Sequence, residues 1–473
     1  MRCAIVAALM LSACALAPPP AGDDLAKSAM PDVTPPAQWT SGGASGTVAD
    51  NWLATLNEPR LDALVQEAIA HNPDLRVAAA RVEAASASLR AAKAPLLPQV
   101  NLLARGGGKM SGDSSGLEGV GLFASWEIDL WGNVRSAAKA TEKQYASAQL
   151  DTEYARQSIA ALVAKGWILA VEARLQRDLA VAMLNSSERL ASLAADRLRV
   201  GAGDQYDVAV AQANLESLRD AARNLDLAYV NALRALETLI GRYPAASVAV
   251  AEALPAWPGD PPAGIPSELL ERRPDVIAAE HRVGAAFYRT QEAKAMRLPR
   301  ITLVGSYTSV SSELFFLKSH DNPAGSVGAS ILQPLFLGGL LQAQVDVRTA
   351  EQEAAIAEYG KIGLRAFNEV EGSLAAGSAT RERAEILSRG VAQNSRALDL
   401  ANVRYRVGTF DLRGVQQQQI ALDSARAALL RVQSERLVQL VNLHLALGGS
   451  FQPPPPPPPP EETKTSDASG AMR

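Results

Sequence analysis

The sequence predicts a mainly α-helical chain that also carries membrane β-strands and is built from two internal structural repeats. Three observations lead there. Proline is dense up to Pro98, absent from Gln99 to Tyr243, dense again from Pro244 to Pro334, and absent until Pro453. Landmark peptides recur across the two proline-free blocks. Asn72-Pro73-Asp74-Leu75 returns as Arg273-Pro274-Asp275-Val276, Leu97-Pro98 as Leu298-Pro299, Leu130-Trp131 as Leu335-Phe336, and Leu239-Ile240-Gly241 as Ala446-Leu447-Gly448. The motif Arg-x-Arg-Val-Gly occurs at Arg197–Gly201 and again at Arg404–Gly408, and the spacing of all these pairs drifts only from 201 to 207 residues. Each half also switches from helical periodicity to a period of two and back.

Along the chain, residues 1–13 combine one Arg, an apolar run from Ala4 to Leu11 and small residues, the pattern of a secretory signal peptide too short to span a membrane. Cys14 closes that run, and residues 14–58 are expected to form a tether. Cys3 leaves with the signal, so the mature chain keeps one cysteine and no disulfide is expected. Repeat 1 covers 59–241, a linker covers 242–265 and repeat 2 covers 266–449. The Pro453–Pro460 run and the polar residues after it read as a polyproline spacer and disordered tail over 450–473.

Helices are expected over 73–94, 134–199 and 205–240 in the first repeat, and over 274–297, 341–405 and 411–447 in the second. Residues 134–199 hold no Pro and one Gly, with Ala, Leu, Glu, Arg and Gln throughout. At ~1.5 Å per residue this helix is roughly 100 Å long, far beyond the globular norm. Helices 73–94 and 205–240 together hold 58 residues, so stacked end to end they nearly match the long one. Leu218, Ala222, Leu225, Tyr229, Ala232, Leu236 and Leu239 keep 3/4 spacing, a coiled-coil seam.

Strands are expected within 99–130 and 300–336. In Gly119–Leu130, Val120, Leu122, Ala124, Trp126, Ile128 and Leu130 alternate with Gly121, Phe123, Ser125, Glu127 and Asp129. One apolar face and one carboxylate-bearing face suit a strand between lipid and a wet lumen. Residues 99–105, 300–310 and 326–336 are weaker versions, joined in pairs by Gly/Ser-rich loops. Four strands cannot close a barrel and open edges are not tolerated in lipid, so several copies must pool their strands.

Other chemistries fail on context. The formal net charge of −4, with both signs interspersed, gives no nucleic-acid footprint. Gly112–Gly116 fits G-x-S-x-G, yet it lies in a Gly-rich loop without the strand–elbow–helix setting. Gly108-Lys109 lacks the rest of a P-loop, and His71, His281, His320 and His444 show no ligand spacing. No catalytic residue, metal or cofactor is expected.

Taken together, Cys14, Trp39, Trp52-x-x-x-x-Asn57-x-Pro59-x-Leu61, Asn72-Pro73-Asp74-Leu75, Trp126–Gly132, Arg272–Asp275 and the two Arg-x-x-Val-Gly turns resemble the outer-membrane efflux protein (TolC-like) family. Within it they resemble the lipoprotein subgroup of tripartite RND-type drug-efflux systems. The resemblance runs from Cys14 to about Gly449. It implies a homotrimer: a twelve-stranded β-barrel in the outer membrane, continued by a periplasmic α-helical barrel. A periplasmic adaptor (membrane fusion) protein and an inner-membrane RND-type pump would dock below. The implied function is a passive exit duct for drugs or other small toxic compounds, with heavy-metal efflux or type I protein secretion as the alternative.

Leu11-Ser12-Ala13-Cys14 resembles a lipobox, implying a diacylglycerol and an N-acyl chain such as palmitate on Cys14. Ala15, in place of Asp, implies the outer membrane. The long helix runs away from the strands, so the two Val-Gly turns fall at the far periplasmic tip. Gly201 and Gly408 stand where a left-handed C-cap is needed, and Asp204 and Asp411 where an N-cap is wanted. In the family an acidic residue at the position of Asp207 helps hold the tunnel closed; the plainer reading is an N3 carboxylate facing Asp204. Phe410 and Gly414 depart from the family's charged latch, which leaves Asp204, Asp207, Asp411 and Arg413 as gate candidates. Arg197, Val200, Gly201, Arg404, Val407 and Gly408 match the tip motif that relatives use to meet the adaptor; the plainer reading of the two arginines is a charge complementing the helix dipole.

Overall fold

A computed structural model describes residues 18–44, 46–105, 118–311 and 324–452. Cys14 and the signal peptide, the Gly112–Gly116 loop, His320 and the Pro453–Pro460 tail lie outside the described residues. The helices are α1 (Gly22–Ala29), α2 (Trp52–Thr55), α3 (Pro59–His71), α4 (Pro73–Lys93), α5 (Asn133–Arg199), α6 (Gln205–Leu239), α7 (Leu269–Arg272), α8 (Pro274–Ala295), α9 (Leu340–Arg406) and α10 (Leu412–Ala446). The strands are β1 (Gln99–Arg105), β2 (Glu118–Ile128), β3 (Arg300–Ser311) and β4 (Ala324–Leu332).

The long helices α5 and α9 each hold 67 residues. Helix α5 packs on α4 and α6 along one side and on α8 and α10 along the other, and α9 packs on α8 and α10. Each long helix therefore runs alongside two shorter ones stacked end to end. The stacking joints explain the recurring Asn-Pro-Asp and Arg-Pro-Asp landmarks. Asn72 caps α4 by accepting from the Asp74 and Leu75 amides, while its Nδ2 donates to the Leu239 carbonyl at 2.8 Å. One side chain thus closes the start of α4 and the end of α6.

At the second joint Arg273 takes that place. Its guanidinium donates to the Ala446 carbonyl at 3.1 Å, to both oxygens of Asp275 and to Glu369 at 2.6 Å. Arg273 is fully buried, and Arg365 supplies Asp275 with a further contact at 3.2 Å. Burial disfavours the charge on Arg273, but the two carboxylates outweigh it and raise its pKa.

Two of the expected strands end early. Residues 129 and 130 are not in β2, because Asp129 turns out of the ladder and its carboxylate accepts from the Val134 and Arg135 amides at 3.1 and 2.8 Å. It thereby satisfies orphan donors at the start of α5, whose own first turn holds no acid. The last four residues of the expected 326–336 strand are not paired either: β4 stops at Leu332, and Pro334 has no amide to donate to a ladder.

Residues 18–58 pack rather than trail. Leu25, Met30 and Trp39 are buried with Val276, Tyr359 and Ala366, while Trp52, Leu53 and Leu56 join Trp167, Leu236 and the linker residues Val248 and Val250. One carboxylate pins this belt and another pins the linker beside it. Glu371 accepts from the Thr40 amide and hydroxyl and from the Ser41 amide, each at 2.8 Å. Glu237, fully buried, accepts from the Ala246, Ser247 and Val248 amides and the Ser247 hydroxyl. Burial alone would raise both pKa values; these hydrogen bonds outweigh it and lower them.

Candidate functional site: the membrane sheet and the tip turns

The four strands form one antiparallel sheet in the order β1-β2-β3-β4. The register sorts side chains onto two faces. Leu122 pairs with Leu102 and Tyr307, Ala124 with Val100 and Gly305, Trp126 with Leu303, Ile128 with Ile301, and Ile301 in turn with Ile331. The opposite face aligns Gln99 with Ser125, Glu127 with Thr302, Ser306 with Ser326 and Thr302 with Ser330. Phe123, paired with Asn101 and Ser306, shares this mixed face with Leu103, Val304 and Leu332, so the polar residues there are interrupted rather than continuous.

On the first face Leu102 is 67% exposed, Ile331 71% and Val327 92%. Apolar side chains this bare along every strand need a solvent other than water, and lipid is the one that an antiparallel sheet with a polar reverse face fits. On the polar face Arg300 lies 3.6 Å from Glu127. β1 and β4 each have one unpaired edge within the chain, so the sheet is complete only when further copies supply strands. Where the sheet meets the helices, the Trp126 and Trp131 indoles donate to the Leu96 and Pro299 carbonyls at 3.0 and 2.8 Å. Exposed Leu335 and Phe336 stand in the same region after β4, an arrangement typical of a membrane-interface belt.

At the other end of the long helices the two Val-Gly turns are near copies. Gly201 has φ 75° and Gly408 φ 77°. The Ala202 amide donates to the Arg197 carbonyl at 2.8 Å, and the Thr409 amide to the Arg404 carbonyl at 2.9 Å, which closes each helix in a Schellman arrangement. Asp204 then accepts from the Tyr206 amide and Asp411 from the Gly414 amide, as expected of N-caps. Val200 and Val407 are 71% and 68% exposed at the turns.

Among the described residues the gate candidates form no carboxylate–guanidinium pairs. Among the described residues Asp207 has no hydrogen-bond or ion-pair partner, and no bond returns from it to Asp204. Arg199 pairs with Asp196 at 2.8 Å. The arginines of the two turns lie over aromatic rings instead: Arg197 over Tyr405 at 4.9 Å, Arg404 over Phe410 at 5.5 Å and Arg413 over Tyr206 at 5.1 Å. Leu412, 3% exposed, sits with Ala191, Ala194 and Ala211 of the first hairpin. Tyr206, Tyr405 and Leu412 were not singled out by the sequence, because their partners lie in the other repeat and no local spacing joins them.

The comparisons with known proteins agree with this geometry. The family model described as "Outer membrane efflux protein" matches residues 64–242 and 265–449. The chain is 32% identical to the pyoverdine export outer membrane protein OpmQ of Pseudomonas aeruginosa, over 95% of this chain and 96% of that protein. It is 29% identical to the cation efflux system protein CusC of Escherichia coli, over 94% and 97%. Among solved structures, the outer-membrane channel OprN superposes with a TM-score of 0.80 at 28% identity, covering 89% of this chain and 98% of that one. The open state of the Neisseria gonorrhoeae MtrE outer membrane channel gives 0.78 at 29% identity, covering 89% and 96%. With its two repeats, its open lipid-faced sheet and its long helical body, the chain belongs to the outer membrane efflux protein family, as an outer-membrane duct of the trimeric β-barrel and α-barrel type.

Proposed function

We propose that this protein is the passive exit duct of an RND-type drug-efflux system, expelling small toxic organic compounds, with its periplasmic mouth opened by an adaptor and the energy supplied by an inner-membrane pump. The observation that carries the duct is the two-faced sheet: one face is almost wholly apolar over all four strands, while Gln99, Asn101, Ser125, Glu127, Arg300, Thr302, Ser306, Ser326 and Ser330 all fall on the other. Three copies would pool twelve strands, β4 of one subunit pairing antiparallel with β1 of the next. The twin turns with exposed Val200 and Val407 are the surface offered to the adaptor, with Arg197, Gly201, Arg404 and Gly408 shaping it. Cys14 carries the lipid that anchors the mature N-terminus. The mouth is closed by the converging turns, where unpaired Asp207 with Asp204 and Asp411 sets a negative local field.

Relatives bear names that point to organic cargo, including an antibiotic efflux pump protein and a toluene efflux pump protein of Pseudomonas putida, each 28% identical over 94% of this chain. The test is complementation of a duct-deficient strain that holds a matching adaptor and pump. Restored resistance to organic toxicants and solvents, lost when either partner is deleted, is the expected result. Resistance restored only to metal ions, or export only of a protein, would overturn this reading.

A further inference from the structure

We infer that the periplasmic mouth of this protein is held shut by an aromatic clasp between the two hairpins of each subunit, with Leu412 seated among Ala191, Ala194 and Ala211 and flanked by the Arg197–Tyr405 and Arg413–Tyr206 contacts. This rests on the proposal that the converging turns close the duct. Every contact in the clasp crosses from one hairpin to the other. Arg197 ends α5 while Tyr405 ends α9, and Tyr206 begins α6 while Arg413 begins α10. Tyr206 and Arg413 occupy equivalent positions of the two repeats, each the second residue after its N-cap. Leu412 is the only buried side chain that the second hairpin inserts into that alanine-lined cluster among the described residues.

The second turn has been rebuilt to suit rings rather than charges. Phe410 lies against the backbone of Gly414, and a Cβ at that position would collide with the ring. An acidic side chain at 414, the repeat equivalent of Asp207, is therefore excluded while Phe410 keeps its place. Arg404 lies over the Phe410 ring at 5.5 Å. Of the carboxylates nearby, Asp204 and Asp411 cap helices and Asp196 holds Arg199, while Asp207 pairs with no guanidinium among the described residues.

A guanidinium over a ring is attracted to the face of the π-system, and the tyrosine hydroxyl is not required. The ring contacts are individually weak, and Tyr206 and Arg413 are exposed while Arg197 and Tyr405 are half-buried, so a docking partner can peel them apart without unfolding either hairpin. Arg197 and Arg413 would be freed as the mouth widens.

The test is single-channel conductance of purified trimers in planar bilayers, with assembly checked by heat-modifiable migration. Tyr206→Leu with Tyr405→Leu removes both rings at similar bulk and should raise the conductance of the resting channel severalfold. Tyr206→Phe with Tyr405→Phe keeps the π-faces and should stay at the wild-type level. If the Phe pair opens as far as the Leu pair, hydroxyl hydrogen bonds hold the mouth and the clasp is wrong. If the Leu pair stays closed while Asp207→Ala opens, the turns are the gate but carboxylates hold it. If neither variant changes conductance, the turns are not the constriction and the proposed gate fails as well.

Discussion

Arg273→Ala strands a buried carboxylate at the joint between α8 and α10, and its cost separates a buried charge network from an ordinary helix cap. In the intact chain the Arg273 side chain is 1% exposed and Asp275 9%. Removing the guanidinium leaves Asp275 with only the Val276 amide and the half-exposed Arg365, and the Ala446 carbonyl without this donor. Breaking one partner of such a buried pair costs about 3–5 kcal/mol. The equivalent Asn72→Ala loses one N-cap and one hydrogen bond to Leu239, about 2 kcal/mol in all. Unfolding of a membrane trimer is best followed as a rate, so the assay is loss of helical circular dichroism at one fixed high temperature. A difference of about 2 kcal/mol felt at the unfolding barrier is about thirtyfold in rate, with Arg273→Ala the faster. The double variant Arg273→Met with Asp275→Asn leaves no stranded charge and should recover a large part of the loss. Equal rates for Arg273→Ala and Asn72→Ala, or a double variant no slower than Arg273→Ala, would refute the network as the source of the joint's stability.

Three further outcomes are expected. Cys14→Ser should abolish metabolic palmitate labelling of the chain; labelling equal to wild type would show that Cys14 is not the lipid site. Ala124→Arg puts a charge on the lipid face and should cost roughly 2–4 kcal/mol of barrel stability near the midplane, while Ser125→Arg costs much less; equal loss of assembled trimer would mean that the register is wrong. Glu237 and Glu371 have lowered pKa values in the fold, so their stabilisation is complete above the ordinary carboxylate value of 4.5 and is lost as pH falls through the lowered values. The melting temperature of the helical body should therefore drop below pH 4.5, and Glu237→Gln with Glu371→Gln should flatten that part of the profile; parallel profiles would remove these two groups as the cause.

The repeat, the long helices and the membrane strands were legible because each leaves a local mark. Proline-free blocks, 3/4 spacing from Leu218 to Leu239 and alternation from Val120 to Ile128 all act within a few residues, and Gly201 with Asp204 is a cap read directly from spacing. Hidden from the sequence were contacts that depend on distant segments. Thr40 and Glu371 lie 331 residues apart, so the packed belt over residues 18–58 read as a tether. Asp129 continues the strand alternation in sequence, yet its carboxylate is drawn to the amides that open α5. Phe410 and Gly414 were visible as departures from a charged latch, but the ring packing that replaces it needed the fold. Helix ends shifted by one or two residues, as terminal turns fray.

The duct depends most directly on the two-faced sheet, and single-cysteine scanning of β2 in intact outer membranes tests it. The sequence holds only Cys3 and Cys14, so with both replaced by Ser each introduced thiol reports alone. Phe123→Cys, Ser125→Cys and Glu127→Cys should react with a charged, membrane-impermeant thiol reagent, while Leu122→Cys, Ala124→Cys and Trp126→Cys should not. Period-two labelling of this phase is what a lumen-lining strand requires. Uniform labelling of all six positions, or the opposite phase, would contradict a duct built on this sheet.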